Sequence, residues 1–311
     1  MLERCPRSVP SIGALDVGYD IDMNGSFPIV DAHQHFWDPK LNRHPWLCEE
    51  PPIAFRYGDY AALRRPYLPA DYFADAGPHE VVKTVYIETE WDPRDPLGET
   101  AWVARLRRET GFPSVVVAQA WLDRDDVTDV LEAQAACSFV RGIRHKPPVG
   151  AMRDARWRAG YARLARLGLR FDLQTSWTEL ADAADLCRAF ADTQLVLNHT
   201  GLPADRSAQG IAGWSRALRL LADCPNAAIK ISGLGEAGAR WSAERNREIV
   251  LTAIEIFGTQ RAMFASNFPV DGLCGSFATI FSGFRDITKD FSAPEQRALF
   301  HDNANRIYAM E

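Results

Sequence analysis

The chain has 311 residues, 47% hydrophobic and 24% charged, and a net charge of −6 at neutral pH. That composition is ordinary for a globular enzyme with a large core, and its acidic balance argues against nucleic acid or an anionic membrane as main partner. No apolar run reaches the roughly 18 residues of a spanning helix. The first residues also lack the apolar stretch and small-residue cleavage site of a secretory signal. Six scattered cysteines without a CxxC pair suit reduced thiols in a cytoplasmic protein. An irregular arm is expected over residues 1–26, followed by one domain over 27–311.

In chain order, apolar runs bounded by polar or turn residues predict strands at Ile29–His35, Thr84–Glu90, Ser114–Trp121, Phe139–His145, Leu169–Thr175, Gln194–Thr200, Ala227–Gly233 and Arg261–Asn267. Helices are predicted between them, over Glu99–Glu109, Val127–Ala136, Trp157–Leu167, Leu180–Phe190, Trp214–Ala222 and Ala243–Phe257. Their apolar positions recur at three and four residues, as in Leu180, Ala183, Ala184 and Cys187. Regular alternation of eight such units implies a single α/β domain, a (β/α)₈ TIM barrel. The rival, an open doubly wound sheet, normally begins with a glycine-rich phosphate turn, and none follows the first strand. Residues 36–82 form a connection too long for an ordinary loop. Its aromatic content (Trp37, Trp46, Tyr57, Tyr60, Tyr67, Tyr72) points to an ordered cap over the barrel mouth.

Barrel active sites lie at the C-terminal ends of the strands, and here those ends are polar. They carry His33 and His35, Glu88 and Glu90, Gln119, Arg144, His145 and Lys146, Gln174, His199, Lys230 and Ser232, then Ser266, Asn267 and Asp271. Buried charge is costly unless paired or used, so this concentration points to an enzyme. Alternation along a strand puts His33 and His35 on one face, with Asp31, where two imidazoles converge on a metal or on a carbonyl oxygen. His199 is a candidate third ligand or proton carrier. Arg144 and Lys230 either meet an anionic substrate or oxyanion, or neutralise Glu88 and Asp172. His145 and Gln174 join them as candidate substrate contacts, and Tyr57, Tyr60 and Trp91 as stacking surfaces.

With these residues in place, the sequence resembles the amidohydrolase superfamily, in the branch called amidohydrolase 2. The matching stretches include IVDAHQHFWDP at 29–39, VRGIRHKP at 140–147, LVLNHTGLP at 195–203, MFASNFPVD at 263–271 and LFHDNANRIYAM at 299–310. The resemblance implies a (β/α)₈ barrel that hydrolyses a small molecule, most relatives with assigned activities being lactonases of sugar acids or carboxylated aromatics. It implies either one divalent ion, zinc foremost, on His33, His35 and His199, or no metal. Gln174 stands where several relatives have histidine, which argues against two metals. Asn267 stands where the superfamily usually has a water-activating aspartate, so His199, Glu88 or Asp271 would have to take that role.

The expected function is therefore opening of a lactone or related activated ester in a small, anionic substrate. One alternative is a metal-dependent, non-oxidative decarboxylase of an aromatic acid; another is a barrel that binds a small molecule without turning it over. A homo-oligomer is compatible with this sequence.

Overall fold

All eight apolar runs become strands: β1 (Ile29–Gln34), β2 (Val81–Ile87), β3 (Val115–Gln119), β4 (Val140–His145), β5 (Arg170–Leu173), β6 (Leu195–Leu197), β7 (Ala227–Ile231) and β8 (Ala262–Phe264). The computed structural model describes residues 27–310, so the arm expected over 1–26 lies outside the described residues. The strands pair in parallel in sequence order. Two backbone bonds join the last strand's loop to the first strand: Asn267 N donates to the His33 carbonyl and His35 N to the Phe268 carbonyl, both at 2.8 Å. The chain is a (β/α)₈ barrel.

Strand alternation sorts the apolar side chains into two cores. Leu173, Leu197, Ile231 and Phe264 face the surrounding helices. Val30, Val85, Val117, Val196, Ala228 and Met263 fill the interior, together with Ala304 and Ile307 from the C-terminal helix Asn303–Ile307 and Tyr308 just after it. Arg170 and Lys83 bond the Ile307 carbonyl and Asn305, which seats that helix against the N-terminal ends of β5 and β2. The opposite end is left for chemistry.

The helical elements differ in part from expectation. The helix predicted over Trp157–Leu167 is two pieces, Ala155–Tyr161 and Arg163–Arg166. Helices that were not anticipated include Pro69–Ala76 within the cap, Phe277–Ile287 after β8 and the C-terminal Asn303–Ile307. Most strands also stop one to three residues before the predicted ends. Beyond them Glu90, His199, Thr200 and Asn267 adopt positive φ of 57°, 54°, 53° and 55°, a left-handed backbone that ends the ladder and turns side chains into the mouth. Among the described residues, no helix is long and apolar enough to cross a membrane.

Lys230 does not reach the mouth. It is fully buried, its ammonium 2.5 Å from Asp172 Oδ1, and Tyr308 O–H donates to both Asp172 oxygens at 2.9 Å. The expected substrate contact is thus an internal ion pair tying β5, β7 and the C-terminal segment. Lys230→Met should leave Asp172 uncompensated and cost about 3–5 kcal/mol in denaturant unfolding. Adding Asp172→Leu should recover much of that loss, whereas a single-variant cost near zero would show the pair to be dispensable.

Candidate active site

The geometry of the histidine pair begins with a bulge. Asp31 pairs with Thr84 and Gln34 with Tyr86, so three steps along β1 match two along β2. One extra residue flips the alternation. Val30 and Ala32 therefore face the interior before it, and His33 and His35 can face the interior after it. Asp31 is left on the other side, contrary to plain alternation. Its carboxylate accepts from Tyr72 O–H of the cap at 2.7 Å and from Ser266 N and Oγ at 2.9 and 2.6 Å.

The tautomer of His35 follows from its partner. Nδ1 lies 2.8 Å from the Ile87 carbonyl, which can only accept, so Nδ1 carries the proton and Nε2 the lone pair. Asn267 is fixed in the same way: its Nδ2 donates to Asp271 Oδ1 at 2.6 Å, which turns Oδ1 toward His35 Nε2 at 3.3 Å. His33 Nε2 stands 3.2 Å from His35 Nε2, and His33 Nδ1 is buried without a hydrogen-bond partner. Acceptors thus outnumber donors at this point.

A cation would satisfy that imbalance. Two ligands at about 2.0–2.1 Å from a tetrahedral zinc lie roughly 3.3 Å apart, close to the spacing here. The set comprises two imidazoles and an amide oxygen, which fits one ion and not two. The expected trio His33, His35 and His199 does not form: among the described residues no three His, Cys, Asp or Glu are arranged to hold a metal. His199 instead sets its ring 4.4 Å from that of His33, tilted by 48°, and pairs Nδ1 with Ser232 Oγ at 2.9 Å. Burial, reinforced by nearby Arg144 and Lys230 or Arg56, holds all three imidazoles well below their ordinary 6.5. They are neutral.

The carboxylates divide differently from expectation. Glu88 is enclosed: Oε1 takes Arg144 Nε at 2.5 Å and Oε2 takes Glu90 N at 2.7 Å. Asp271 is 1% exposed and also fully engaged, by Asn267 Nδ2, by Tyr57 O–H at 2.8 Å and by Gly233 N at 3.0 Å. Each carboxylate oxygen of both residues already accepts at least one hydrogen bond. Tyr57, expected as a stacking surface, is thereby a strut from cap to barrel. Arg144 continues to Gln174 Oε1 at 3.0 Å, and Lys146 pairs with Glu90.

Two adjoining cavities occupy the mouth. The inner, about 330 Å³, is lined by His35, His199, Asn267, Gln174 and Arg56. The outer, about 690 Å³, is lined by Gln119, His145, Trp91 and Trp121. Trp46, Glu90, Arg144 and Lys146 belong to both and form the waist. His33 lies behind His35, fully buried. Arg56 was not anticipated, because a lone arginine in an irregular cap carries no periodic signal.

A buried carboxyl supports the rim. Glu99 Oε1 accepts from Tyr86 O–H, Thr89 N and Thr89 Oγ1, each at 2.7 Å, while Oε2 has no partner. Burial first, and Glu88 second, raise this carboxyl to about 7. A raised carboxyl stabilises the fold fully below its unfolded value near 4.5, and that contribution fades as pH rises through 7. Glu99→Gln should therefore gain stability relative to wild type between pH 5 and pH 8, by roughly 2–3 kcal/mol. Denaturation at the two pH values measures it; an unchanged difference would mean that Glu99 titrates normally.

The family model for amidohydrolases matches residues 30–310. The protein y4mH of Sinorhizobium fredii, itself uncharacterised, is 41% identical over 295 residues, spanning 90% of this chain and 98% of its own. An L-fucono-1,5-lactonase of Burkholderia multivorans is 29% identical over 297 residues, spanning 90% and 96%. The crystal structure of an amidohydrolase from Burkholderia multivorans with bound zinc superposes with a TM-score of 0.79 at 26% identity, covering 92% of this chain and 100% of that one. A match of this extent, on a barrel with a polar mouth, makes the chain a member of the amidohydrolase family, as the sequence motifs indicated.

Proposed function

We propose that the protein opens a lactone or a similar small activated ester. The observation that carries this reading is the inner cavity, where neutral His199 faces Arg56, Arg144 and Lys146 across a space the size of one ring. Similarity to an L-fucono-1,5-lactonase supports it.

His199 lines the cavity and, held well below its ordinary value by burial, remains unprotonated at neutral pH. It would take a proton from water attacking the ester carbonyl, then return it to the leaving alkoxide. The cationic lining would stabilise the oxyanion and afterwards the product carboxylate. Each cation has an acidic partner, Arg144 with Glu88, Lys146 with Glu90 and Arg56 with Asp271 at 3.8 Å, so the lining is balanced at rest and suits charge that develops during reaction. An anionic substrate is therefore not required. His33, His35 and the Asn267 amide oxygen would hold a single divalent ion. When bound, such an ion supplies Lewis-acid polarisation of a carbonyl or a lowered water pKa. His35 Nε2, bearing a lone pair, cannot itself donate to a substrate carbonyl.

On sugar-acid lactones, including L-fucono-1,5-lactone, we expect turnover followed by pH-stat. His199→Gln should lower kcat/KM by about 10²–10⁴. His35→Gln should lower metal content and activity together if an ion is used, and activity alone if not. Full activity in His199→Gln would sink the mechanism. Decarboxylation of a hydroxybenzoate, or tight binding without turnover of any lactone, would move the protein to one of the two alternatives.

A further inference from the structure

The proposed reaction uses the inner cavity and leaves the larger outer one without a role. Two buried polar groups there have open valences. His145 is 8% exposed, and its Nδ1 accepts from Leu122 N at 3.3 Å and from the Trp157 indole N–H at 3.1 Å. Its proton is therefore on Nε2, which bonds to no described residue. Gln119 is 7% exposed, and its Oε1 has no partner. Around these two stand the indoles of Trp46, Trp91 and Trp121 and the carboxylates of Glu49, Glu50 and Asp123.

We propose that the outer cavity binds a second sugar ring, so that the substrate is a sugar-acid lactone bearing a glycosyl substituent. This rests on the lactonase reading and assigns a substrate class to that site. A sugar ring has an apolar C–H face, which suits indole, and hydroxyls that both donate and accept. The imidazole N–H, the amide and the carboxylates provide the complementary mixture. Other occupants fit less well. A carboxylate or phosphate would meet Glu49, Glu50, Glu88, Glu90 and Asp123, which outnumber Arg144 and Lys146 in this lining. An ammonium would satisfy the acids but oppose the His145 N–H. A bare aromatic ring would leave both His145 and Gln119 unpartnered. Lys146 and Glu90, at the waist, are placed to flank the bond joining the two rings.

The test compares glucono-1,5-lactone with cellobiono-1,5-lactone and lactobiono-1,5-lactone. At least one two-ring substrate should show a kcat/KM about tenfold or more above the one-ring substrate. In Trp121→Ala and Gln119→Leu that ratio should fall toward one, which general damage to the fold would not produce. Binding of the product acids, cellobionate and lactobionate against gluconate, is read in parallel by tryptophan fluorescence and needs no turnover. Hydrolysis with equal kcat/KM and equal product affinity for one and two rings would overturn the subsite and leave the lactonase reading intact. Trp121-dependent binding of a two-ring acid, with no lactone hydrolysed, would overturn the reaction and keep the subsite. Binding of neither two-ring acid would overturn the subsite.

Discussion

The site depends on how the barrel closes. The bonds that join β1 to the loop after β8 run through His33, His35, Asn267 and Phe268, so the closing seam and the candidate chemistry share one stretch of backbone. A bulge in β1 supplies both imidazoles to the interior side of that seam, and positive φ at Asn267 supplies the amide. Asparagine tolerates this backbone better than most residues. The same geometry that ends the sheet therefore sets the spacing of the acceptors.

Charge around the seam is arranged to keep its members neutral. Lys230 is buried beneath the histidines and held down to about 8 by burial, with Asp172 acting in the opposite sense. Its charge and that of Arg144 disfavour a proton on the imidazoles. Arg144 is in turn absorbed by Glu88, and Lys146 by Glu90. What faces the inner cavity is a set of lone pairs beside partly compensated cations.

Much of this was legible in the sequence because it follows from period. Eight apolar runs alternating with helical stretches gave the barrel, and the polar residues at their ends gave His35, His199, Arg144, Gln174 and Asn267 as neighbours. Period could not show the bulge, which moved Asp31 to the other face. It also could not rank two readings of one residue. Lys230 sits at a site-like position in sequence, but its register opposite Asp172 and under Tyr308 makes it structural. Asp271 and Tyr57 were misjudged for the same reason: residues 214 positions apart meet only once the cap is seated. Arg56 lies in irregular chain, where no pattern marks one residue above another.

The Tyr57–Asp271 bond links two things that are usually separable. Asp271 Oδ1 receives the cap's phenol and also the Asn267 amide that faces the histidines. One oxygen thus registers whether the cap is seated and orients the group nearest the reacting centre. Docking of the cap and alignment of the amide are consequently coupled equilibria, each favoured by the other. A descendant of this chain that exchanged its cap for another, to accept a different substrate, would have to bring a hydroxyl to the same spot. The partner of that single carboxylate limits how freely the mouth of this barrel can diversify.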